Sequence, residues 1–372
     1  MHLAEQNVGD TARIQAVRVQ PFTIPTDYPE SDGTLEWDST TLVYAEIDAG
    51  GKTGIGYTYA DLATAELIRD TLAQVIKGED ALNTNACWWH MVRRIRNLGR
   101  PGISSMALSC LDVALWDLKS KLLDVPLVIL LGGVIRESVP IYGSGGFTSY
   151  SDTQMAKQFS GWVDQGISRV KMKIGRDPVA DLHRVDFARS VIGPDVDLFV
   201  DANGAYTRKL ALSQSEQFAL EDVRWFEEPV PSDDLEGLKL LRFRMPPEIE
   251  VAAGEYGYDA GYFRRMLEAG AVDVLQADAT RCGGYTGFLQ AADLCVAFDS
   301  PLSAHCAPQL HTHIGCSAQK VRHLEYFHDH VRIENKLFDG VPQPTSGRLS
   351  PDLSRLGLGI ELKRADAERY AA

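Results

Sequence analysis

Ionisable side chains recur in this sequence at the points where short apolar stretches end. Lysines occur in VKMKIG, carboxylates in FVDANG, WFEEP and VAAGE, and an aspartate, a histidine and a glutamate in LQADAT, LSAH and HLEY. In chain order these residues are Lys171, Lys173, Asp201, Glu227, Glu255, Asp278, His305 and Glu325. Carboxylates bind hard divalent cations, whereas lysine and histidine side chains move protons. The pattern predicts metal-assisted proton transfer, provided that the fold gathers these residues.

Three of the carboxylates come from consecutive predicted strands. Asp201, Glu227 and Glu255 would lie about 5 Å apart, the spacing of neighbouring strands, so that one oxygen of each can meet a single cation. Three unpaired carboxylates would repel one another strongly, and a divalent cation removes that repulsion. Because the donor atoms are oxygens and none is sulfur, the pattern favours Mg²⁺.

The candidate bases are predicted to lie opposite these carboxylates. Lys171 and Lys173 are two residues apart and therefore point to the same side of one strand. The like charge of Lys171 predicts a lowered pKa for Lys173, toward the free amine that a base needs. Asp278 is placed to fix the tautomer of His305 and to leave the second imidazole nitrogen facing a substrate. Glu325, from the last strand, is placed to hydrogen-bond a substrate carboxylate.

The elements that must position these residues form a regular series. From about Val139, short apolar strands alternate with amphipathic segments, and the strands end near eight positions: Tyr142, Lys173, Asp201, Glu227, Glu255, Asp278, His305 and Glu325. From Lys173 onward the intervals are 28, 26, 28, 23, 27 and 20 residues by subtraction, the length of a strand–helix unit. An α/β fold follows, with a closed, modified (β/α)8 barrel over residues 136–345 that carries its chemistry at the carboxyl ends of its strands.

The regions on either side of the barrel predict a second, α+β domain that caps it. In residues 1–135, Ile14–Pro21 reads as a strand, Thr40–Asp48 begins a hairpin, and the polar segment Pro25–Asp38 is predicted to be a mobile loop. The predicted helices are Thr64–Lys77, Asn83–Asn97 and Ile103–Leu123. Residues 346–372 are expected to return to this capping domain.

Composition narrows the range of functions. A net charge of −14 disfavours binding to nucleic acid or anionic lipid, and no apolar run is as long as the roughly 18 residues of a membrane span. The opening segment MHLAEQNVGDTARIQ is acidic and resembles no secretory signal, so a cytoplasmic location is expected. The six scattered cysteines are predicted to be reduced, mostly packed thiols.

Alternative interpretations exist for each motif. A K-x-K pair is usually a solvated strand edge, and a carboxylate after a strand is often a helix N-cap. The segment SAHCAPQLHTHIGC suggests a zinc site, but the barrel sends His305 inward while His311 and His313 follow Pro308 in a loop or helix start. These purely structural interpretations would all have to be true at the same time, at seven strand ends, and that coincidence disfavours them as a set.

In its motifs the chain resembles the enolase superfamily, specifically the mandelate racemase subgroup. The resemblance rests on VKMKIG, VDANG, FEEP, GE, the D-x-x-x-x-GG of residues 278–284, the later His and Glu, and ALSCLDVALWDLKSKLLDVPLVILLGG, in which Ser120 stands where glycine is more usual. It implies Mg²⁺ held by Asp201, Glu227 and Glu255, and acid–base roles for Lys173 and the His305/Asp278 pair. In FEEP the implied ligand is Glu227, whereas Glu228 points the other way along the strand.

The resemblance implies removal of the proton alpha to a carboxylate, giving an enolate. We expect a sugar-acid dehydratase that forms a 2-keto-3-deoxy acid; racemisation, epimerisation or cycloisomerisation of a hydroxy acid or lactone is the alternative. A Schiff-base aldolase and an inactive binding protein are the rivals from other classes. The candidate substrate contacts are Asn203, Tyr142, Ser144, Arg281, His311, Trp37 and Tyr57. Family members are commonly homo-oligomers, so the same is expected here.

Overall fold

The computed structural model of the protein describes residues 12–372. Residues 1–11, which include most of the segment that was read for a targeting signal, lie outside the described residues. Among those described, no helix is long and apolar enough to cross a membrane.

A three-stranded antiparallel sheet and several helices form the first region. The strands are β1 (Ala16–Ser31), β2 (Glu36–Ala49) and β3 (Lys52–Tyr59), in the order β1-β2-β3. The helical segments are α1 (Leu62–Leu67), a π-helical stretch (Ile68–Leu72), α2 (Ala73–Ile76), α3 (Thr84–Arg94), α4 (Ile103–Leu122) and α5 (Leu127–Leu130). Helix α4 packs closely on β3, because Gly54 and Gly56 have no side chain; a Cβ at Gly56 would lie 2.2 Å from the carbonyl oxygen of Cys110.

The predicted mobile loop at Pro25–Asp38 is wrong. Strand β1 continues to Ser31 and β2 begins at Glu36, so only a tight turn separates them. The Asp32 carboxylate accepts hydrogen bonds from the backbone of Thr34 and Leu35 and stabilises that turn. The segment is polar because the two arms extend past the sheet toward the barrel, where the Ser31 and Thr148 hydroxyls are 2.6 Å apart.

A closed barrel of eight parallel strands follows, as predicted. Strands β4 to β11 pair in sequence, and β11 closes the ring on β4. The strands are β4 (Val139–Gly145), β5 (Arg169–Lys173), β6 (Asp197–Asp201), β7 (Val223–Glu227), β8 (Glu250–Ala253), β9 (Val274–Ala277), β10 (Leu302–Ala304) and β11 (Val321–Phe327). The helices are α6 (Asp152–Asp164), α7 (Pro178–Ile192), α8 (Arg208–Phe218), α9 (Leu235–Arg244), α10 (Ala260–Ala269), α11 (Gly284–Ala297), α12 (Pro308–Ser317) and α13 (His328–Leu337).

The barrel interior is filled by large side chains below the catalytic end. Tyr142, Phe199 and Trp225 form a buried cluster with Ala252 and Val274. The Phe199 and Trp225 rings stack with centroids 5.2 Å apart. This packed layer closes the bottom of the barrel, so access to the strand ends comes from the capping side.

The last residues contact the first region again. Short strands β12 (Phe338–Asp339) and β14 (Glu361–Leu362) pair, while β13 (Arg348–Leu349) pairs with β4; α14 (Arg364–Ala367) follows. The backbone N–H of Leu358 donates to Asp117 of α4, and the N–H of Ala372 donates to Pro21. These contacts agree with the expected return of the carboxyl-terminal segment.

Asp117 is a buried junction between three parts of the chain. Its carboxylate accepts the backbone N–H groups of Ile55 and Leu358 and pairs with Lys121. We expect Asp117→Ala to lower the free energy of unfolding by about 3 kcal/mol, because two buried donors lose their acceptor. Urea denaturation at pH 7 measures this. The exposed Glu66→Ala change should lie within about 0.5 kcal/mol of wild type; equal effects of the two changes would contradict the prediction.

Candidate active site

Three carboxylates meet at the carboxyl end of neighbouring barrel strands. Asp201 ends β6, Glu227 ends β7, and Glu255 follows the end of β8 by two residues. All three side chains are buried. One carboxylate oxygen from each lies within 4.8 Å of the corresponding oxygens of the other two. The strands of the barrel thus bring together the residues that the sequence pattern grouped.

These carboxylates fit a hard divalent cation. The Glu255 Oε2 atom is buried and accepts no hydrogen bond among the described residues, although His305 Nε2 lies 3.3 Å from it, and a buried ionised oxygen without such a bond is costly. Burial raises the pKa of Glu227 to about 8, and the charge of Asp201 adds to that rise. Both features are relieved by one cation shared among the three oxygens, and an all-oxygen donor set suits Mg²⁺.

Two lysines from β5 lie against this group. Lys173 Nζ is 2.5 Å from Asp201 Oδ2 and 3.1 Å from Asn203 Oδ1. Lys171 Nζ is 2.5 Å from Glu227 Oε1 and 2.9 Å from Glu325 Oε1. Both ammonium groups therefore lie within the ring of carboxylates.

The predicted pKa of Lys173 requires correction. Burial lowers the pKa of Lys173 and the nearby Lys171 also lowers it, as the sequence suggested. The Asp201 carboxylate, with further help from Glu255 and Glu227, raises the pKa by more, so the net shift is upward. Sequence spacing showed the neighbouring lysine but not the 2.5 Å ion pair formed across strands.

A histidine and an aspartate form a hydrogen-bonded pair across the mouth from Lys173. Asp278 follows β9 and His305 follows β10, and His305 Nδ1 is 2.8 Å from Asp278 Oδ2. Although burial raises the pKa of Asp278, its hydrogen bond and charge interaction with His305 lower it well below its usual value. A carboxylate acceptor requires a proton on Nδ1, so Nε2 is directed to the cavity. Burial lowers the pKa of His305, but the charge of Glu255 raises it, and the net shift is upward.

Glu325 lies at the centre of the mouth on β11. Its Oε1 accepts from the Ser144 hydroxyl at 2.6 Å, and its Oε2 accepts from the backbone N–H of Cys306 at 2.9 Å. Burial raises the pKa of Glu325, but the nearby Lys171 and His305 charges lower it well below its usual value. Glu325 is therefore a fixed anion. Because an ionised carboxylate has no proton to donate, the predicted hydrogen bond from Glu325 to a substrate carboxylate is wrong, and Glu325 instead holds Lys171 and the backbone of Cys306 in place.

A cavity of about 390 Å³ opens over these groups, between the barrel and the first region. From the barrel it is lined by Lys173, Asn203, Glu255, Tyr256, Arg281, His305, Cys306, Phe327 and His330. From the first region it is lined by Asp32, Leu35, Trp37, Ser39, Thr40, Thr41, Tyr59, Ala60 and Asp61. A larger neighbouring cavity of about 730 Å³ shares Asn203 and Tyr256 with it but has neither Lys173 nor His305 in its lining.

The predicted substrate contacts divide into two groups. Asn203, Arg281 and Trp37 line the cavity, and their contact with a substrate stays a prediction. Ser144 is buried, does not line the cavity and donates its hydroxyl proton to Glu325, so it is corrected to a residue that positions Glu325. The turn-rich sequence around residue 144 did not reveal this, because the partner comes from the last strand.

Tyr142 and Tyr57 are also corrected. Tyr142 is fully buried in the packed layer inside the barrel, with Lys171 Nζ lying 5.5 Å from the centre of its ring. It lies within β4 rather than at its end, so it points below the mouth. Tyr57 belongs to β3, not to a capping loop, and its hydroxyl donates to Glu334 at 2.7 Å. It joins the first region to the barrel instead of covering the cavity.

His311 is removed from the substrate contacts for a different reason. Its Nδ1 lies 2.9 Å from the Cys306 carbonyl oxygen, and its Nε2 accepts the Ala279 backbone N–H at 2.9 Å. Both ring nitrogens are therefore occupied by the backbone, and burial lowers the pKa of the ring. His313 likewise bonds the backbone at both nitrogens. Neither histidine joins the possible metal-binding groups of the described residues, so a zinc site that gathers the whole segment is excluded. His305 and Cys306 alone come together, with Glu325, closely enough to share an ion.

Cys306 and Glu228 are among the buried residues that were not recognised in the sequence as part of the site. Cys306 lines the cavity, and its Sγ is 3.3 Å from His305 Nε2; the position next to the histidine was visible, but its left-handed backbone, φ +50°, was not. Glu228 was predicted to point the other way along the strand from Glu227. Its φ of +38° breaks the alternation just after β7, and its buried Oε1 has no partner among residues 12–372.

Comparison with known proteins agrees with this geometry. Residues 15–132 match the mandelate racemase / muconate lactonizing enzyme N-terminal domain, and residues 154–367 match the enolase C-terminal domain-like family. The chain is 32% identical over 286 residues to a D-galactarolactone cycloisomerase from Agrobacterium fabrum, covering 76% of this chain and 75% of that protein. It is 29% identical over 362 residues to the L-talarate/galactarate dehydratase of Salmonella typhimurium, covering 94% and 89% respectively.

Solved structures extend the comparison. A mandelate racemase/muconate lactonizing enzyme-like protein from Rubrobacter xylanophilus superposes with a TM-score of 0.94 at 51% identity, over 97% of this chain and all of that one. A variant of the Salmonella dehydratase, liganded with magnesium and L-glucarate, superposes with a TM-score of 0.90 at 27% identity, over 100% of this chain and 95% of that one. Mg²⁺ is the cofactor of this group of proteins. With both domains matched, the chain belongs to the mandelate racemase / muconate lactonizing enzyme subgroup of the enolase superfamily.

Proposed function

We propose that this protein removes the proton alpha to the carboxylate of a sugar acid and then eliminates water to form a 2-keto-3-deoxy acid. The observation that carries the proposal is the placement of Lys173 and His305 in the walls of one cavity beside three carboxylates. A base and an acid that reach one substrate from different sides are what β-elimination requires. Relatives that act on sugar acids or their lactones support the substrate class.

In this proposal Lys173 takes the alpha proton. Mg²⁺ bound by Asp201, Glu227 and Glu255 would supply positive charge that offsets the second negative charge building on the substrate carboxylate and weakens the hold of Asp201 on the Lys173 proton. Lys171 adds a fixed positive charge at the same place, held there by Glu227 and Glu325. The amine of Lys173 then accepts the proton as the enolate forms.

His305 completes the proposed elimination. Its Nδ1–H is held by Asp278, so a proton on Nε2 is aimed into the cavity. As the bond between the beta carbon and its hydroxyl oxygen breaks, the Nε2 proton passes to that oxygen and water leaves. The resulting enol becomes the 2-keto acid by taking up one proton at the beta carbon and losing the proton of its hydroxyl group.

Cycloisomerisation or epimerisation is the second candidate, because the cycloisomerase relative is 32% identical. The same enolate would form, but either a proton would return to the alpha carbon, or the ring ester oxygen at the beta carbon of a lactone would leave as a carboxylate in place of water. Exchange of the alpha proton without keto-acid formation would favour epimerisation, and keto-acid formation from a lactone but not from the open acid would favour cycloisomerisation. A Schiff base to Lys173 is not part of either candidate reaction, so borohydride with substrate should trap no adduct.

The proposal is tested by a panel of sugar acids and their lactones incubated with the Mg²⁺-loaded enzyme. Keto-acid formation is followed by colorimetry, and exchange of the alpha proton in D₂O by NMR. Activity should disappear with a chelator and return with Mg²⁺. If neither product nor exchange occurs with any compound of the panel, the proposed function is wrong. A homo-oligomeric assembly stays a prediction, to be checked by the mass of the protein in solution.

The metal assignment has its own test. We expect Glu255→Gln to weaken Mg²⁺ binding about 10-fold or more, since it removes one charge while keeping an oxygen for the Arg281 hydrogen bond. Calorimetric titration of Mg²⁺ measures the change. Glu250→Gln is the matched control, because Glu250 belongs to the same strand but pairs with Arg322. Unaltered Mg²⁺ affinity in Glu255→Gln would remove Glu255 from the ligand set.

A further inference from the structure

The first region contributes one wall of the active-site cavity. The described side chains that line this wall are either acidic or uncharged, and none of them is a lysine, arginine or histidine. The charged residues of this wall are Asp32 and Asp61. Ser39, Thr40 and Thr41 add hydroxyl groups, and Trp37 and Tyr59 add rings. Among the described residues that line this cavity, Lys173 and Arg281 are the lysine and arginine side chains, and both come from the barrel wall beside the carboxylates.

Neither of those cations is available to the far end of a substrate. Lys173 is paired with Asp201. Arg281 donates to Glu255 Oε1 at 3.1 Å, and its Nε is 3.7 Å from Asp278 Oδ2. Both charges therefore serve the end of the cavity where the reacting carboxylate would bind.

Two histidines line the cavity: His305 is paired with Asp278 at the reacting end, and His330 does not replace a cation. His330 stacks on Tyr59 with ring centroids 3.4 Å apart, and its Nδ1 accepts the backbone N–H of Ala307. A nitrogen that accepts this bond carries no proton, so the ring is neutral. Arg265 lines the larger neighbouring cavity and not this one, and two aspartates, Asp233 and Asp259, line that same neighbouring cavity.

The two aspartates have oxygens to offer to hydroxyl groups. Asp32 Oδ1 accepts backbone N–H groups of its turn, and Asp61 Oδ1 accepts the N–H of Ala63 at the start of α1. The second carboxylate oxygen of each, Oδ2, accepts no hydrogen bond from the residues that the structure describes. Such oxygens accept from sugar hydroxyls and repel a carboxylate.

We propose that this site selects monocarboxylic sugar acids with a neutral, hydroxylated tail and rejects dicarboxylic sugar acids, with Asp32 and Asp61 as the residues that discriminate. The inference rests on the proposed function for the orientation of the substrate, with its reacting carboxylate at the metal end. A dicarboxylic acid would then place its second charge against the acidic wall with no cation to pair with it. Selection of this kind works chiefly by repulsion of the wrong ligand.

Binding of matched acids to the Mg²⁺-loaded wild-type enzyme tests the proposal. D-gluconate is paired with D-glucarate, and D-galactonate with galactarate, so that the two members of a pair differ in the oxidation of the far end. By calorimetry at low ionic strength, the monocarboxylic member of each binding pair should bind about 10-fold or more tightly, and the preference should shrink as salt is added. This measurement needs no turnover.

The double change Asp32→Asn with Asp61→Asn should reduce the preference to about 3-fold or less. Asparagine keeps the Oδ1 acceptor that each residue uses in its turn or helix start, so the fold is retained; circular dichroism checks this. Asp38→Asn is the matched control, since Asp38 lies on β2 but outside the cavity lining, and it should keep the full preference.

The outcomes separate the two proposals. If dicarboxylic acids bind as tightly as their partners, or if the double change leaves the preference as it was, the selection proposal is overturned while the proposed function stands. If no sugar acid of either kind binds, the proposed function is overturned and the selection proposal with it. A preference that appears in wild type and collapses in the double variant supports both.

Discussion

Lys173→Ala is expected to lower kcat for keto-acid formation by about 10³-fold, within the range that a positioned general base contributes. It should lower exchange of the alpha proton by a similar factor, because the same amine performs both. The loss should appear in kcat rather than in KM, since the proton transfer is a feature of the transition state. Steady-state kinetics and NMR exchange in D₂O measure the two rates.

Two further variants separate the base from a simple positive charge. Lys173→Arg keeps a cation beside Asp201 but cannot release its proton near neutral pH, so it should be as inactive as the alanine variant. The exposed Lys209→Ala should behave as wild type. A Lys173→Arg enzyme with near-normal turnover would show that the charge, and not the base, is what the reaction uses.

His305→Asn is expected to produce a different pattern. Water elimination should fall by about 10³-fold, because the leaving hydroxyl loses its proton donor. Exchange of the alpha proton should persist, since Lys173 remains in place. Keto-acid formation and deuterium incorporation measured in the same sample show whether elimination is lost while exchange of the alpha proton continues.

Asp278 provides the control for how His305 is held. Asp278→Asn replaces an acceptor for the Nδ1 proton by a group that can donate, which favours the wrong tautomer and should slow elimination while leaving exchange intact. The surface change His90→Gln should have no effect on either rate. If His305→Asn abolishes exchange as well as elimination, then the histidine removes the alpha proton and the roles of the two residues must be reversed.

The residues of the candidate site could be predicted from their spacing, because in a barrel the position of a residue along its strand indicates whether it lies at the mouth. A strand of fixed length that ends at the mouth presents its last residues there, so Lys173, Asp201 and Glu227 could be placed before the structure was known. Glu255, Asp278 and His305 lie one or two residues beyond their strands but still face the same cavity or one another.

Predictions failed where contacts cross between distant parts of the chain. Tyr142 and His311 are polar residues near the motif positions. The Tyr142 ring packs against residues of other barrel strands, and both ring nitrogens of His311 contact backbone groups. The pKa of Lys173 was predicted from one neighbour on its own strand, whereas Asp201, on the next strand, reverses the direction. Cys306 and Glu228 escaped recognition because their positive φ angles turn them out of regular alternation.

The sequence by itself determined the order of strands and helices, the eight-stranded barrel and the identity of the ionisable residues at its mouth, because periodicity and element length are local properties of the chain. Only the tertiary structure decided the ionic pairing of these residues, the extension of β1 and β2 toward the barrel, and the acidic wall that Asp32 and Asp61 bring to the cavity. Those features depend on side chains from different strands, 28 residues apart for Lys173 and Asp201 and 117 for Ser31 and Thr148, and their relative positions exist only once the barrel has closed and the first region has packed on it.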